Sequence, residues 1–273
     1  MNSIFKYFVL FLLFFFWQFS KCLAQEKEKS IFYFEPAYMV GKVVPNYLNN
    51  FPSTNLQQVI NIDIGTLKRD TNNSWTKYYN YPPTGISFFF CNIGNNSIFG
   101  NQISVLPFIS FRVLKQQKSP CYLKLGLGAS YFTTHYDSII NTRNIDIGSR
   151  FTWAFQAFLY KSIHRTNGLD LRIGLGYSHS SNGHTQLPNL GINSALISVS
   201  SQLYKKQNQA YLPPNKNKSN FETTKHLTFN LEKGIGFHEF GHKDYPIGGK
   251  KQLVQTTNFA LGCILKNHYR AKV

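Results

Sequence analysis

The chain has 273 residues, of which 15% are charged and 16% are aromatic, with 25 Phe and 16 Tyr. Disordered chains and coiled coils carry more charge and fewer aromatic side chains, so the composition excludes both classes. The mean hydropathy of −0.25 argues against a bundle of membrane-spanning helices.

The N-terminus has the layout of a secretory signal peptide. Lys6 precedes an apolar run, Tyr7–Trp17, that is too short to span a bilayer as a helix, and the tripeptide Cys22-Leu23-Ala24 follows it. We therefore expect residues 1–24 to be a signal peptide and residues 25–273 to form a single outer-membrane domain. A lipoprotein acylated on Cys22 is the less favoured alternative, because a lysine precedes that cysteine where a small residue is preferred.

The chain is strongly basic. Removing Lys6 and Lys21 with the signal lowers the net charge from +17 to +15, and residues 201–273 alone hold twelve Lys or Arg against four Asp or Glu. Such a surplus favours polyanionic partners. For an exported protein we expect anionic lipids, and no nucleic acid.

Most of the mature chain has the pattern of β-strands. Between Cys121 and Tyr131 large apolar side chains alternate with mostly small or polar ones, and the pattern recurs over 169–178 and 227–237. The predicted strands are 31–42, 57–68, 84–93, 99–113, 120–131, 146–161, 168–179, 192–204, 225–237 and 252–266.

Strands of soluble β-sandwiches and lipocalin-type barrels also alternate apolar and polar side chains, so this pattern alone does not indicate a membrane barrel. Export, strands of about ten residues and aromatic side chains at strand ends favour an outer-membrane barrel. The opposite face is rich in Gly, Ser, Thr and Asn with isolated charges at Lys124, Arg150 and Arg172, which suits a small polar lumen. We predict an all-β, antiparallel transmembrane β-barrel with an eight-stranded core (about 31–205) and two possible extra strands in a hairpin (about 225–266).

The segment between the seventh and eighth predicted strands carries candidate catalytic residues. His179 and Ser181 are two residues apart on an extended segment, so both side chains leave the same face, where an imidazole could accept the serine proton. They share the parity of apolar Leu175, and Asn193 shares the parity of the apolar residues of the next strand. All three therefore face lipid, where polar groups are costly unless they function or lie near the interface.

Counting strands from a periplasmic N-terminus places the loop 182–191 at the cell exterior. The outer leaflet there is lipopolysaccharide. A lipid-facing nucleophile and base at that depth would meet the ester-linked acyl chains of lipid A.

The run His179-x-Ser181-Asn182-Gly183, followed by Pro188-Asn189-x-Gly191-Ile192, resembles the outer-membrane lipid A 3-O-deacylases, the PagL or acyloxyacyl hydrolase group. The specific signal is confined to residues 177–193. The resemblance implies an eight-stranded barrel in the bacterial outer membrane that hydrolyses the ester at the 3-position of lipid A. It further implies a lipid-facing Ser-His-Glu triad with no metal and no cofactor.

The resemblance also implies roles for single residues. By position, Ser181 matches the nucleophile and His179 the base. Asn182 and Asn189 match motif asparagines, which we assign with the Gly183 N–H to the oxyanion hole.

The position of the family's acid is occupied by Asn193. A carboxamide can accept a hydrogen bond from the imidazole and orient it, but it brings no negative charge. Papain-like proteases use a Cys-His-Asn arrangement, so the substitution is compatible with catalysis, although a serine needs more help than a thiolate. No acid lies between Asp170 and Glu222, so any replacement must come from a distant strand.

Two alternatives stay open at this point. A non-catalytic barrel, an adhesin or a small pore, would use the same outward side chains only to meet headgroups. A zinc peptidase is suggested by His238-Glu239-Phe240-Gly241-His242, which matches HExxH, but that motif needs a helix. The surrounding glycines argue against a helix, so we interpret the segment as a turn between strands nine and ten. The oligomeric state and the acyl chain removed are left open.

Overall fold

The computed structural model describes residues 31–47, 50–67, 76, 78–114, 119–205, 226–241, 249–266 and 269–272. The predicted signal peptide, residues 1–24, lies outside the described residues. Within the described ranges, no helix has the length and apolar character needed to cross a membrane.

Eight antiparallel strands close into a barrel in chain order. They are β1 (Ile31–Val44), β2 (Gln57–Leu67), β3 (Thr84–Asn92), β4 (Asn101–Arg112), β5 (Cys121–Phe132), β6 (Phe151–Thr166), β7 (Leu169–Ser181) and β8 (Ile192–Tyr204). Each strand pairs with the next, and β8 returns to β1 with Asn193 opposite Val44. Closure pairs both edges of every strand, which a span through lipid requires. The predicted eight-stranded antiparallel barrel is confirmed.

Three further strands form a separate sheet in the order β11-β10-β9. They are β9 (His226–Glu239), β10 (Lys251–Lys266) and β11 (Tyr269–Lys272). β9 and β10 pair as a hairpin with Glu239 opposite Lys251. The two extra strands therefore stand beside the barrel and do not widen it to ten strands.

The main boundary error is at β6, which begins at Phe151 and not at 146. The alternation of side chains continues through 146–150, but this segment belongs to the β5–β6 loop, where Asp146 and Ile147 are fully buried. The assignment of Arg150 to the lumen was wrong for the same reason. Arg150 is exposed and donates to the Tyr131 hydroxyl at 3.0 Å.

The barrel is apolar outside and polar inside. Outward side chains are exposed hydrophobics such as Leu175 and Val199, which are 63% and 59% exposed. The interior holds buried ion pairs, with Arg172 3.2 Å from Glu35 and 2.9 Å from Asp170. Exposed hydrophobics around buried charges invert the arrangement of a soluble protein and fit a barrel surrounded by lipid.

The interior is also filled. Phe158, Leu106 and Tyr122 are buried side chains at 0%, 0% and 2% exposure. The guanidinium carbon of Arg172 lies over the Tyr122 ring, 4.6 Å from its centroid. A lumen packed with large side chains argues against the small-pore alternative.

Four loops meet at one end of the barrel, which we call the loop end. They are β1–β2 (45–56), β3–β4 (93–100), β5–β6 (133–150) and β7–β8 (182–191). Hydrogen bonds tie these loops together: Asn55 N donates to Gly94 O at 2.9 Å, and Gly191 N donates to Asp146 O at 2.9 Å. The loops at the loop end therefore support one another through hydrogen bonds.

Candidate active site

β7 places His179 and Ser181 on the outer face of the barrel. The residues between and before them, Ser180 and Ser178, are buried in the interior at 2% and 5% exposure. His179 and Ser181 are half-buried on the outside. Trp153 of β6 pairs with Ser181 and is 66% exposed. The two side chains thus point in the direction that the parity of β7 predicts.

Asn193 lies directly opposite His179 on β8. The Nδ1 atom of His179 is 2.7 Å from Oδ1 of Asn193. The same oxygen accepts a hydrogen bond from the Tyr177 hydroxyl at 2.5 Å. A carboxamide oxygen only accepts, so the proton of the neutral imidazole lies on Nδ1 and the lone pair lies on Nε2. This is the tautomer that a general base needs.

The Ser181 hydroxyl is held by two donors from the β7–β8 loop. Asn189 Nδ2 donates to Oγ at 2.9 Å, and Gly183 N donates to it at 3.3 Å. No hydrogen bond joins Ser181 to His179 among the described residues. Catalytic hydrogen bonds are often long without substrate and tighten when it binds.

Gly191 lies against both the His179 imidazole and Ser181, and its lack of a side chain leaves room for them. Its φ is +77°. A Cβ at this position would lie 2.9 Å from Cε1 of His179 and 3.2 Å from Cβ of Ser181. Only glycine fits that conformation and that space, so Gly191 is the contact point where the two side chains converge.

The asparagines of the loop have different tasks. The Asn182 backbone N–H donates to Oδ1 of Asn189 at 3.1 Å, which turns the NH₂ group of Asn189 toward Ser181. The Asn182 side chain is buried; its Nδ2 donates to Gln186 O at 2.7 Å and its Oδ1 accepts from His184 N at 3.0 Å. Asn189 and Gly183 thus direct donors at the serine, and Asn182 shapes the loop that carries them.

The end of β9 contacts this loop. Glu239 Oε2 accepts from Leu187 N at 2.8 Å, and Glu239 N donates to His184 O at 3.0 Å. The His184 and His238 rings meet edge to face, 4.9 Å apart. Burial, followed by the neighbouring His238, lowers the pKa of His184, and Glu239 opposes this shift.

This contact changes the interpretation of the HExxH match. His238 and Glu239 are the last residues of β9 and not part of a turn, and Glu239 supports the β7–β8 loop. His242 lies outside the described residues. Within those residues no group of three His, Cys, Asp or Glu could hold a metal ion.

Asn46 of the β1–β2 loop also reaches the site. Asn193 Nδ2 donates to Oδ1 of Asn46. Sequence reasoning missed Asn46, because a lone polar residue in a loop carries no signal of what it will contact. It named Glu239 only as part of the HExxH match and not for its contact with the β7–β8 loop.

Comparison with known protein families decides between the alternatives. A model of the family described as lipid A 3-O-deacylase (PagL) matches residues 64–202. The chain belongs to this family. The protein is therefore a lipid A deacylase, an ester hydrolase of the outer membrane, and not a non-catalytic adhesin or pore. The matched range contains His179, Ser181 and Asn193; it leaves out Asn46, β1 and the three strands β9 to β11.

Two solved structures resemble the barrel. The outer membrane enzyme PagL is 14% identical, with a TM-score of 0.45, and the match covers 61% of this chain and 97% of that one. Neisserial surface protein A (NspA) is 13% identical, with a TM-score of 0.42, and the match covers 63% of this chain and 96% of that one. No curated protein matches the chain. The fold assignment rests on the strand pairing described above.

Proposed function

We propose that this deacylase is a serine esterase in which Ser181 is the nucleophile, His179 the general base and Asn193 the residue that orients the imidazole. The observation that supports this most directly is the hydrogen bond between His179 Nδ1 and Asn193 Oδ1 at 2.7 Å. It leaves Nε2 unprotonated on the outer face that Ser181 shares.

In the proposed reaction Ser181 Oγ attacks the carbonyl carbon of the acyl ester, and His179 Nε2 takes the hydroxyl proton. The carbonyl oxygen becomes an oxyanion next to Ser181 Oγ, where Gly183 N–H and Asn189 Nδ2, which donate to Oγ in the free enzyme, are close enough to turn to it and stabilise it. When the tetrahedral intermediate collapses, the ester C–O bond breaks and the sugar hydroxyl leaves with the proton from His179. Water, deprotonated by His179, then hydrolyses the acyl-serine and releases the fatty acid.

The surroundings of Ser181 suit a lipid substrate. Trp153, Leu175 and Tyr177 are exposed on the same outer wall, so an acyl chain can lie along β6 and β7 with its ester at the rim. Counted from a periplasmic N-terminus, the loop end faces the cell exterior, where lipid A forms the outer leaflet. The 3-O position of the scissile ester follows from the family description.

The test is substitution of the nucleophile. Ser181→Ala should leave folding and membrane insertion intact, as judged by heat-modifiable migration in SDS gels, while lipid A keeps its full set of acyl chains by mass spectrometry. Ser201→Ala is the matched control, because Ser201 lies on the outer face of β8 toward the other end of the barrel. Deacylation by the Ser181 variant at the control's rate would refute the proposed nucleophile.

A further inference from the structure

The carboxamide of Asn46 makes hydrogen bonds on both of its sides at the rim of the barrel. On one side its Oδ1 accepts from Asn193 Nδ2. On the other side its Nδ2 faces oxygens of two other loops: Asp146 Oδ1 at 3.2 Å, Leu190 O at 3.3 Å, and Gly191 O. Asn46 is exposed, so burial does not account for this arrangement.

The partners of Asn46 determine which way its amide is turned. Backbone carbonyls accept hydrogen bonds and cannot donate them. If the amide were reversed, its oxygen would face the carbonyls of Leu190 and Gly191 and the Asp146 carboxyl group. The NH₂ group must therefore point at these oxygens, which leaves the Asn46 oxygen facing Asn193.

The amide orientation of Asn46 determines that of Asn193, and through it the tautomer of the His179 imidazole. Because Asn46 offers an oxygen, Asn193 must turn its NH₂ group toward Asn46, and its own oxygen then faces His179. Tyr177 does not impose this direction, since a hydroxyl can either donate or accept. The Nδ1–H tautomer of His179 is thus set from a loop on the far side of Asn193.

We propose that Asn46 is a positioning residue that, through Asn193, holds His179 in the tautomer with an unprotonated Nε2. The proposal rests on the proposed roles of Ser181 and His179. A glutamate needs no such help, because both of its oxygens accept. A carboxamide has one accepting and one donating end; turned the wrong way, it donates to Nδ1 and leaves the proton on Nε2, where the imidazole cannot act as the base.

Asp146 is the anchor of this arrangement on the β5–β6 loop. Its side chain is fully buried, and burial raises the pKa of its carboxyl to about 6, against the hydrogen bonds from Asn46 and Tyr47. At neutral pH it is ionised and can only accept a hydrogen bond, which strengthens the preference of Asn46 for its observed orientation.

The kinetic test uses two backgrounds. With purified, folded full-length protein and lipid A in mixed micelles, Asn46→Ala should lower kcat by about five- to tenfold, the effect of losing one net hydrogen bond. KM should change less than about twofold, since Asn46 makes no proposed contact with substrate. In the Asn193→Glu background the same substitution should cost less than about twofold, because a carboxylate needs no orienting partner.

Comparing the loss of kcat in the two backgrounds distinguishes a residue that orients Asn193 from one that only holds the loops together. A residue that only holds the loops together would cost the same factor in both, and that result would overturn the proposal. Asn46→Ser serves as a second variant if the alanine variant folds poorly, because a hydroxyl specifies no direction. Inactivity of Ser181→Ala together with equal losses would refute the role of Asn46 alone, whereas an active Ser181→Ala would refute the proposed nucleophile.

A spectroscopic readout is independent of turnover. In protein labelled with ¹⁵N-histidine, the His179 ring, assigned by its loss in His179→Gln, should show the Nδ1–H tautomer, and Asn46→Ala should shift it toward Nε2–H. An Nε2–H ring in the unsubstituted protein, or the same tautomer in both proteins, would contradict the proposal.

Discussion

The His179 imidazole donates from Nδ1 to the carboxamide oxygen of Asn193, 2.7 Å away on the neighbouring strand. The resemblance to the deacylase family implies a glutamate at this position, whereas this chain has a neutral acceptor. The geometry of the pair orients the ring, but no negative charge on Asn193 stabilises the imidazolium that forms during attack.

The first prediction concerns this missing charge. Asn193→Glu should raise kcat by about tenfold, because a hydrogen bond to a charged group is worth about 1–1.5 kcal/mol more than a neutral one, and the carboxylate would stabilise the imidazolium. Asn193→Ala, which removes the acceptor that orients the imidazole, should lower kcat. The measurement is the initial rate of fatty acid release from lipid A, and a slower Asn193→Glu enzyme would show that the charge is supplied or made unnecessary by other groups.

The second prediction concerns the close approach at Gly191. Gly191→Ala should lower kcat at least about tenfold more than Gly183→Ala, because both glycines have positive φ, at +77° and +64°, but only the Cβ at 191 meets the His179 ring. A contact of 2.9 Å forces the imidazole or the strand to move. Deacylation rates of the two variants, each checked for heat-modifiable folding, make the comparison; equal losses would refute the packing argument.

The third prediction concerns the pH dependence of stability. The pKa of Asp146 is raised from the usual 3.8 to about 6, so folding takes up a proton and the free energy of unfolding falls as pH rises from about 4 to about 6. The shift corresponds to at most about 3 kcal/mol. Asp146→Asn should remove this slope and leave the protein more stable than the original at pH 7.5, as measured by urea unfolding in lipid vesicles.

Asp137 of the same loop provides the matched control. The backbone N–H groups of Ile139 and Ile140 lower the pKa of its carboxyl, so its contribution is present above its unfolded pKa and is lost only as pH falls through the lower folded value. Asp137→Asn should therefore change stability by the same amount at pH 5 and pH 7.5. If Asp146→Asn kept the pH slope of the unsubstituted protein, the raised pKa would be wrong.

The fourth prediction concerns the contact of Glu239, at the end of β9, with the β7–β8 loop. Glu239→Ala should lower kcat about two- to fivefold, because Leu187 N loses its acceptor and the loop that carries Asn189 loosens. Glu239→Gln keeps an accepting oxygen and should cost less. Glu232→Ala is the control, since Glu232 lies on the same strand and its side chain accepts from Asn230.

Amide hydrogen exchange of residues 183–190 should also distinguish Glu239→Ala from its control, Glu232→Ala. Faster exchange is expected in Glu239→Ala than in Glu232→Ala. Equal protection in both would mean that β9 does not stabilise the loop.

Much of the barrel was predictable from the sequence. Period-two alternation predicted all eight barrel strands, most of them within two residues of their ends, and the parity of β7 predicted the outward direction of His179 and Ser181. The start of β6 was wrong because 146–150 keep the alternation after the chain has left the barrel wall. β11 was missed because four residues, Tyr269–Lys272, are too few to show a period.

The sequence by itself determined which side chains face lipid, because the pleat of a strand sends alternate residues to opposite faces wherever the strand lies. With the resemblance to the deacylase family it also indicated the candidate triad, because His179 and Ser181 lie on one strand and Asn193 on the next. Only the tertiary structure decided that Asn46 and Glu239 support these residues. Those contacts arise when barrel closure and loop packing bring together residues that are 147 and 52 positions from their partners, and no local pattern encodes such a meeting.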